Sequence, residues 1–142
     1  MSWQPPHRPD VQGGTHAPGP EHYSHPLLRA HGRALAEGAT RMFEERWPAV
    51  MARYGERGRQ HTYEDNYWHL STLDTALRLE SPAMFLEYVQ WLRTMLMARG
   101  LEEAVIAANF TYLREALAPL GADAPMLAML DQAIALFPPE AR

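Results

Sequence analysis

The chain has 142 residues, with 17 acidic against 13 basic side chains and a formal charge of -4 at pH 7. This length corresponds to one domain, and 46% hydrophobic with 21% charged residues is a globular composition. The acidic balance argues against a nucleic-acid-binding protein, because neutralising phosphates requires a surplus of basic side chains. The absence of cysteine excludes disulfides, thiolate metal ligands, thiol nucleophiles and thioether attachment of a cofactor.

The sequence has no feature of a membrane or secreted protein. No run approaches the roughly 18 apolar residues that a membrane span needs. The N-terminus lacks a basic region followed by an apolar core, which a secretory signal would have. We therefore expect a cytoplasmic protein that has no membrane partner.

Residues 1–21 contain five prolines and three glycines and have no apolar periodicity. This composition predicts a disordered tail, followed by one helical domain over residues 22–142. Histidines are scattered through the tail and just beyond it, at His7, His16, His22 and His25. They could capture a metal ion weakly, but a solvated tail is the favoured interpretation.

Helical periodicity begins at Tyr23. Ser24 is predicted to cap a first helix, with Pro26 in its first turn, where a missing N–H costs nothing. Pro48 should bend or end that helix. A short helix should then stop at Gly55, before a central helix over about residues 58 to 79.

The second half of the chain contains three further predicted helices. Ser81 should cap the first of them, with Pro82 at its first position, and Gly100 supplies the left-handed residue that ends it. The next helix should cover about residues 102 to 117, and a last one should stop before Pro138. No segment alternates like a strand, so we predict an all-α domain of six to eight helices.

The order of features around the central helix resembles the chromophore-bearing half of a phycobiliprotein subunit. Thr62-Tyr63-Glu64-Asp65 precedes a long helix, a restart at Ser81-Pro82 and a stop at Gly100-Leu101. The resemblance covers about residues 39 to 117, and is one of pattern more than identity. It is most similar to the bilin-biosynthesis-associated globins of non-photosynthetic bacteria. It implies a globin-like, phycocyanin-like bundle.

The resemblance implies roles for individual residues. Thr62 stands where the family has the cysteine that bonds to the bilin, so covalent attachment is excluded. Asp65 matches the aspartate that holds the pyrrole N–H groups through charge-assisted bonds. Glu64 stands where the family has an arginine for one propionate and carries the opposite charge, whereas Arg57 or Arg59 could hold the other propionate. The resemblance therefore implies a non-covalent bilin or haem.

Three polar residues share one face of the central helix, because His61, Asp65 and His69 are spaced four residues apart. The two histidines are about 12 Å apart along the axis, too far for one metal ion to bridge. We therefore expect no metal site, and favour a helix-surface hydrogen bond with a half-buried His69. If the ligand is haem, His69 is the candidate axial ligand.

Aromatic residues accumulate on the central helix and the next one. The set consists of Tyr63, Tyr67, Trp68, Tyr88 and Trp91. Aromatic walls suit a planar tetrapyrrole, although ordinary helix packing is the more frequent use of such residues.

We expect a non-catalytic protein that binds or handles a tetrapyrrole. The alternative is a cofactor-free sensory or dimerisation module of the kind found beside cobalamin-binding or stressosome regulators. In either case we expect a homodimer, and the apolar stripe from Leu27 to Leu35 could form its interface. An enzyme is not expected, since Ser71, Thr72 and Asp74 beside His69 do not form a nucleophile triad.

Overall fold

The computed structural model describes residues 17–142, and the part of the chain that it describes is helical without strands. The all-α prediction is therefore confirmed. Five α-helices occur there, so the predicted six to eight are not confirmed; the predicted short and central helices form one element that is kinked at Gly55. The helices are α1 Pro26–Arg46, α2 Pro48–Arg78, α3 Pro82–Ala98, α4 Glu103–Leu117 and α5 Ala124–Ile134. None of these helices is long and apolar enough to cross a membrane.

Short 3-10 turns flank the helices at Pro20–His22, Ala118–Leu120 and Pro139–Ala141. The predicted disordered tail of residues 1–21 overlaps the first of these turns. There the chain is helical instead, and Pro20 is buried against Gly32 of α1, where an added Cβ would lie 2.9 Å from Pro20 Cγ. The rest of the predicted tail, with His7 and His16, falls outside the described residues 17–142.

The chain divides into two compact units, whose described parts are residues 17–74 and residues 75–142. We call them the N-terminal unit and the C-terminal unit. The N-terminal unit contains α1 and α2 as far as Asp74, and the C-terminal unit contains α3, α4 and α5.

The start of α1 differs by one residue from the prediction. Pro26 is the first helical residue, as expected, but His25 and not Ser24 caps the helix, since His25 Nδ1 accepts a hydrogen bond from Leu27 N at 3.1 Å. The backbone N–H of Ser24 instead donates to Asp74. At its other end α1 stops at Arg46, with Trp47 as its C-cap before Pro48, as predicted.

Contacts at both ends of α1 show that α1 and α2 form an antiparallel pair. The beginning of α1 is bonded to Asp74 near the end of α2, and Glu44 near its end is bonded to Arg59. Leu28 and Leu35 of α1 are buried in the chain. These two leucines of the stripe from Leu27 to Leu35, the candidate dimer interface, therefore already pack inside the protein.

The C-terminal unit is a packed set of α3, α4 and α5. Phe85 of α3 and Phe110 of α4 meet edge to face at its centre, with ring centroids 6.1 Å apart. Pro82 begins α3 as predicted, although the Ser81 side chain makes no capping bond. Gly100, in the turn after α3, has φ 95°, the left-handed conformation expected of it.

Candidate functional site

The predicted site lies on α2 just after a kink. At Gly55 φ is 62° and ψ is -156°, a region essentially restricted to glycine, so the helix is interrupted there as predicted. Helical structure resumes at once and carries Thr62 to Asp65. The side chain of Tyr54 packs against Gly58, where a Cβ would overlap Tyr54 Cβ. The two glycines thus allow the chain to turn sharply immediately before the motif.

Burial rises steeply along the face of α2 that carries the two histidines. His61 is exposed, Asp65 is half-buried and His69 is only 3% exposed. Asp65 and His69 each interact with other groups of the chain. Within residues 17–142, no group of three or more His, Asp or Glu side chains is placed to hold a metal ion.

The two candidate arginines differ in their partners. Arg59 Nε lies 3.2 Å from Glu44 Oε1, and both side chains are substantially exposed. Such a surface pair is weak, of the order of 0–1 kcal/mol. Arg57 is exposed and has no carboxylate within salt-bridge distance among the described residues. Arg57 is therefore the more available of the two cations.

The side-chain hydroxyl and the backbone carbonyl of Thr62 both form hydrogen bonds within α2. Its Oγ1 donates to the carbonyl of Gly58 at 3.0 Å, and its own carbonyl accepts a hydrogen bond from Asn66 Nδ2 at 3.0 Å. Glu64 accepts a longer bond of 3.4 Å from Gln60 Nε2. Asp65 and Glu64 are both half-buried, and each also interacts with other groups of the chain.

Tyr63 belongs to a chain of tyrosines. The hydroxyls of Tyr63 and Tyr67 are 2.7 Å apart, and their rings meet edge to face at 5.1 Å. The Tyr23 hydroxyl donates to the Tyr67 carbonyl at 3.2 Å. Burial raises the pKa of Tyr23 well above its usual value, and burial together with the Tyr63 hydrogen bond raises the pKa of Tyr67. Both hydroxyls therefore stay protonated at neutral pH.

Tyr88 and Trp91 belong to the C-terminal unit, whereas the other candidate residues belong to the N-terminal unit. Tyr88 is buried and stacks on Phe85 at 6.3 Å, and its ring lies 6.2 Å from that of the half-buried Trp91. The predicted aromatic set thus consists of a tyrosine group in one unit and a Phe–Tyr–Trp row in the other.

Asp74 is a structural carboxylate whose role the sequence did not indicate. It is 6% exposed and accepts backbone hydrogen bonds from Ser24 N at 2.9 Å and His25 N at 2.8 Å. These charge-assisted bonds fasten the chain before α1 to α2. The partners are about 50 residues away in the chain, so no local pattern could have revealed them.

Comparison with known proteins does not assign the chain to a family. The chain matches no protein-family model, and neither the curated proteins nor the solved structures gave a match.

Proposed function

We propose that this chain is a non-catalytic, globin-like protein that binds a tetrapyrrole without a covalent bond, along the His61–Asp65–His69 face of α2. The observation that carries the proposal is the rise in burial along this face, from exposed His61 to buried His69. A tetrapyrrole combines charged propionates with a large apolar ring system. Its polar edge suits the exposed end of such a face, and its rings suit the buried end.

Two charged side chains have the environments that this ligand requires. Asp65 is half-buried, and a carboxylate that accepts pyrrole N–H donors forms stronger bonds where water is partly excluded. Arg57 is exposed near the polar end, and no carboxylate of the described chain neutralises it. Arg59 could serve a second propionate by giving up its weak surface pair with Glu44.

The burial of His69 favours a bilin over haem. An axial haem ligand must present a ring nitrogen to the iron. His69 is 3% exposed and already interacts with other groups, so ligation would require the surrounding packing to open. A bilin needs a carboxylate and a cation. Exposed Arg57 is the cation, and Asp65, which is less deeply buried than His69, would exchange its present interaction for the pyrrole N–H groups.

The test is absorption spectroscopy of the full chain after mixing with biliverdin or with haem and passage through a sizing column. We expect stoichiometric visible absorbance to co-elute with the protein in the biliverdin sample. Asp65→Asn should abolish uptake, whereas Glu64→Gln, a matched change at the neighbouring carboxylate, should leave it intact. Arg57→Ala should weaken binding about fivefold, the value of one exposed ion pair.

Two results would contradict the proposal: a colourless wild-type protein, or equal uptake by wild type and Asp65→Asn. A colourless dimer would instead support the second candidate, a cofactor-free sensory or dimerisation module. One observation favours that candidate: the Tyr63 and Tyr67 hydroxyls bond each other, and Tyr23 bonds a carbonyl of the same unit. This part of the unit therefore satisfies its polar groups without a ligand.

A further inference from the structure

The first turns of α2 lack the buried face that the rest of the helix has. From Pro48 to His61 every residue is either half-buried or exposed. We call residues 47–54, from Trp47 to the kink, the arm. The arm ends at Gly55, so its helical part is only two turns long. An isolated helix of that length is not stable in water by itself and is usually held by an apolar face packed on a partner.

The arm has such an apolar face. Val50, Met51 and Tyr54 are spaced as i, i+1 and i+4, which places them on one side of the helix. Val50 and Met51 are half-buried, and Tyr54 is 44% exposed. Trp47 adjoins them at the start of the helix and is half-buried.

The arm is bordered by positive charge. Arg41, Arg46 and Arg53 are exposed and have no carboxylate within salt-bridge distance in the described residues; Arg46 lies over the Trp47 ring at 4.4 Å. Of the acids in residues 41–56, Glu44 is paired with Arg59, which leaves Glu45 and Glu56. The whole chain carries a formal charge of -4, so this basic border is a local feature.

We propose that the arm is a docking site for an acidic amphipathic helix of a partner protein, whose apolar ridge packs on Val50, Met51 and Tyr54. Carboxylates beside that ridge would pair with Arg46 and Arg53, since opposite charges at an interface rim select the partner. A second copy of this chain is disfavoured as the occupant. Two arms packed face to face would bring the same arginines together, and like charges are destabilising there.

The experiment uses two fluorescein-labelled helical peptides of about 18 residues, long enough to form a helix. Both carry leucine at the same i, i+3, i+4 and i+7 positions, and the flanking positions are all Glu in one peptide and all Lys in the other. Binding to the full chain is measured by fluorescence anisotropy at about 50 mM and about 300 mM salt. We expect the Glu peptide to bind at least about tenfold more tightly, with an advantage that shrinks at high salt.

Variants locate the binding surface. Arg53→Glu and Tyr54→Ser should each weaken binding of the Glu peptide about tenfold. Arg99→Glu is the matched control and should bind as wild type does. Arg99 is an exposed arginine of the C-terminal unit that has no ion pair within residues 17–142. Asp65→Asn should also bind normally, which separates this site from tetrapyrrole binding.

Three results would overturn the proposal. The first is equal affinity for the two peptides, or no binding of either one. The second is a dimer on the sizing column that Arg53→Glu and Tyr54→Ser dissolve, because the occupant would then be a second copy. The third is binding to phosphatidylserine vesicles, lost in the same variants, when the peptides do not bind, which would make the arm a membrane-contact surface.

Discussion

Two parts of α2 differ in what holds them in place. Residues 48–61 contain no buried side chain, whereas residues 62–76 bury a nearly continuous stripe. Members of that stripe are Asn66, Tyr67, His69, Leu70, Leu73, Asp74 and Ala76. Both parts are regular helix apart from Gly55. The comparison shows that a helical backbone does not by itself indicate a stable segment. The stability of residues 62–76 comes from tertiary packing.

The buried part also carries polar groups, and these have partners. Asn66 donates to the Thr62 carbonyl, and Asp74 accepts from two backbone N–H groups of the chain before α1. Burial without such bonds would cost roughly 1–3 kcal/mol for each group. Asp74 therefore fastens the end of α2 to the chain before α1, whereas the bond of Asn66 lies within α2.

The strongest test of this contrast compares one large apolar residue from each part. Leu70 is fully buried, so Leu70→Ala should lower the free energy of unfolding by about 3 kcal/mol, from lost burial and the cavity left behind. Met51 is half-buried on the arm, and Met51→Ala should change the free energy of unfolding by less than about 0.5 kcal/mol. Urea unfolding measures both. Equal losses would show that the arm is packed as firmly as the second part, and the contrast would fail.

A second test uses the tyrosines, one from each part. The pKa of Tyr67 is raised by burial and by its hydrogen bond to Tyr63, so its hydroxyl stays protonated in the folded chain at pH values where the unfolded chain loses the proton. A raised folded-state pKa gives stability that is fully present below the unfolded value of about 10 and is lost as the pH rises above it. Between pH 9 and 11 this loss is on the order of 1 kcal/mol for Tyr67.

Tyr67→Phe should remove the part of the stability loss at alkaline pH that comes from Tyr67. Urea unfolding at pH 9 and at pH 11 measures this loss. Tyr54→Phe, on the exposed arm, is the matched control and should leave the pH dependence unchanged. The chain contains no lysine, so no lysine titration overlaps the tyrosines in this range. If Tyr67→Phe retained the full alkaline loss, Tyr67 would not be held protonated by the fold.

The sequence predicted the helix breaks better than it predicted the contacts between helices. Pro48, Gly55, Pro82 and Gly100 all act where expected, because each acts through its own backbone geometry. The cap of α1 lies one residue later than predicted, at His25, and the chain before it is bonded to Asp74, far away in the chain. Long-range partners of this kind follow from packing, which no local pattern specifies.

The candidate site shows the same limit. The common face of His61, Asp65 and His69 follows from helical spacing, and the structure has these three residues on one uninterrupted stretch of α2. The rise in burial along that face, the pairing of Arg59 with Glu44 and the bond between Tyr63 and Tyr67 depend on which residues of α1 and α2 meet. Spacing within one helix does not determine them.

A small effect is also expected of Gly55→Ala, despite the unusual backbone at this residue. An alanine held at φ 62° and ψ -156° would cost about 1–3 kcal/mol. Trp47 contacts the buried Phe43, with ring centroids 5.8 Å apart, but residues 48–54 have no buried side chain. The chain can therefore escape the strain by straightening into continuous helix, where alanine gains about 1 kcal/mol over glycine. We therefore expect a net change below about 1 kcal/mol in urea unfolding, with increased helical circular dichroism at 222 nm.

Gly32→Ala gives the opposite case for comparison with Gly55→Ala. Gly32 lies in regular helix, but its added Cβ would lie 2.9 Å from Pro20 Cγ and 3.1 Å from Tyr23 Cε2, within a buried contact. Overpacking there should cost about 1–3 kcal/mol without a gain in helix. If Gly55→Ala proved as costly as Gly32→Ala and left the dichroism unchanged, the kink would be held by packing. The arm would then not be the unsupported segment that its exposure indicates.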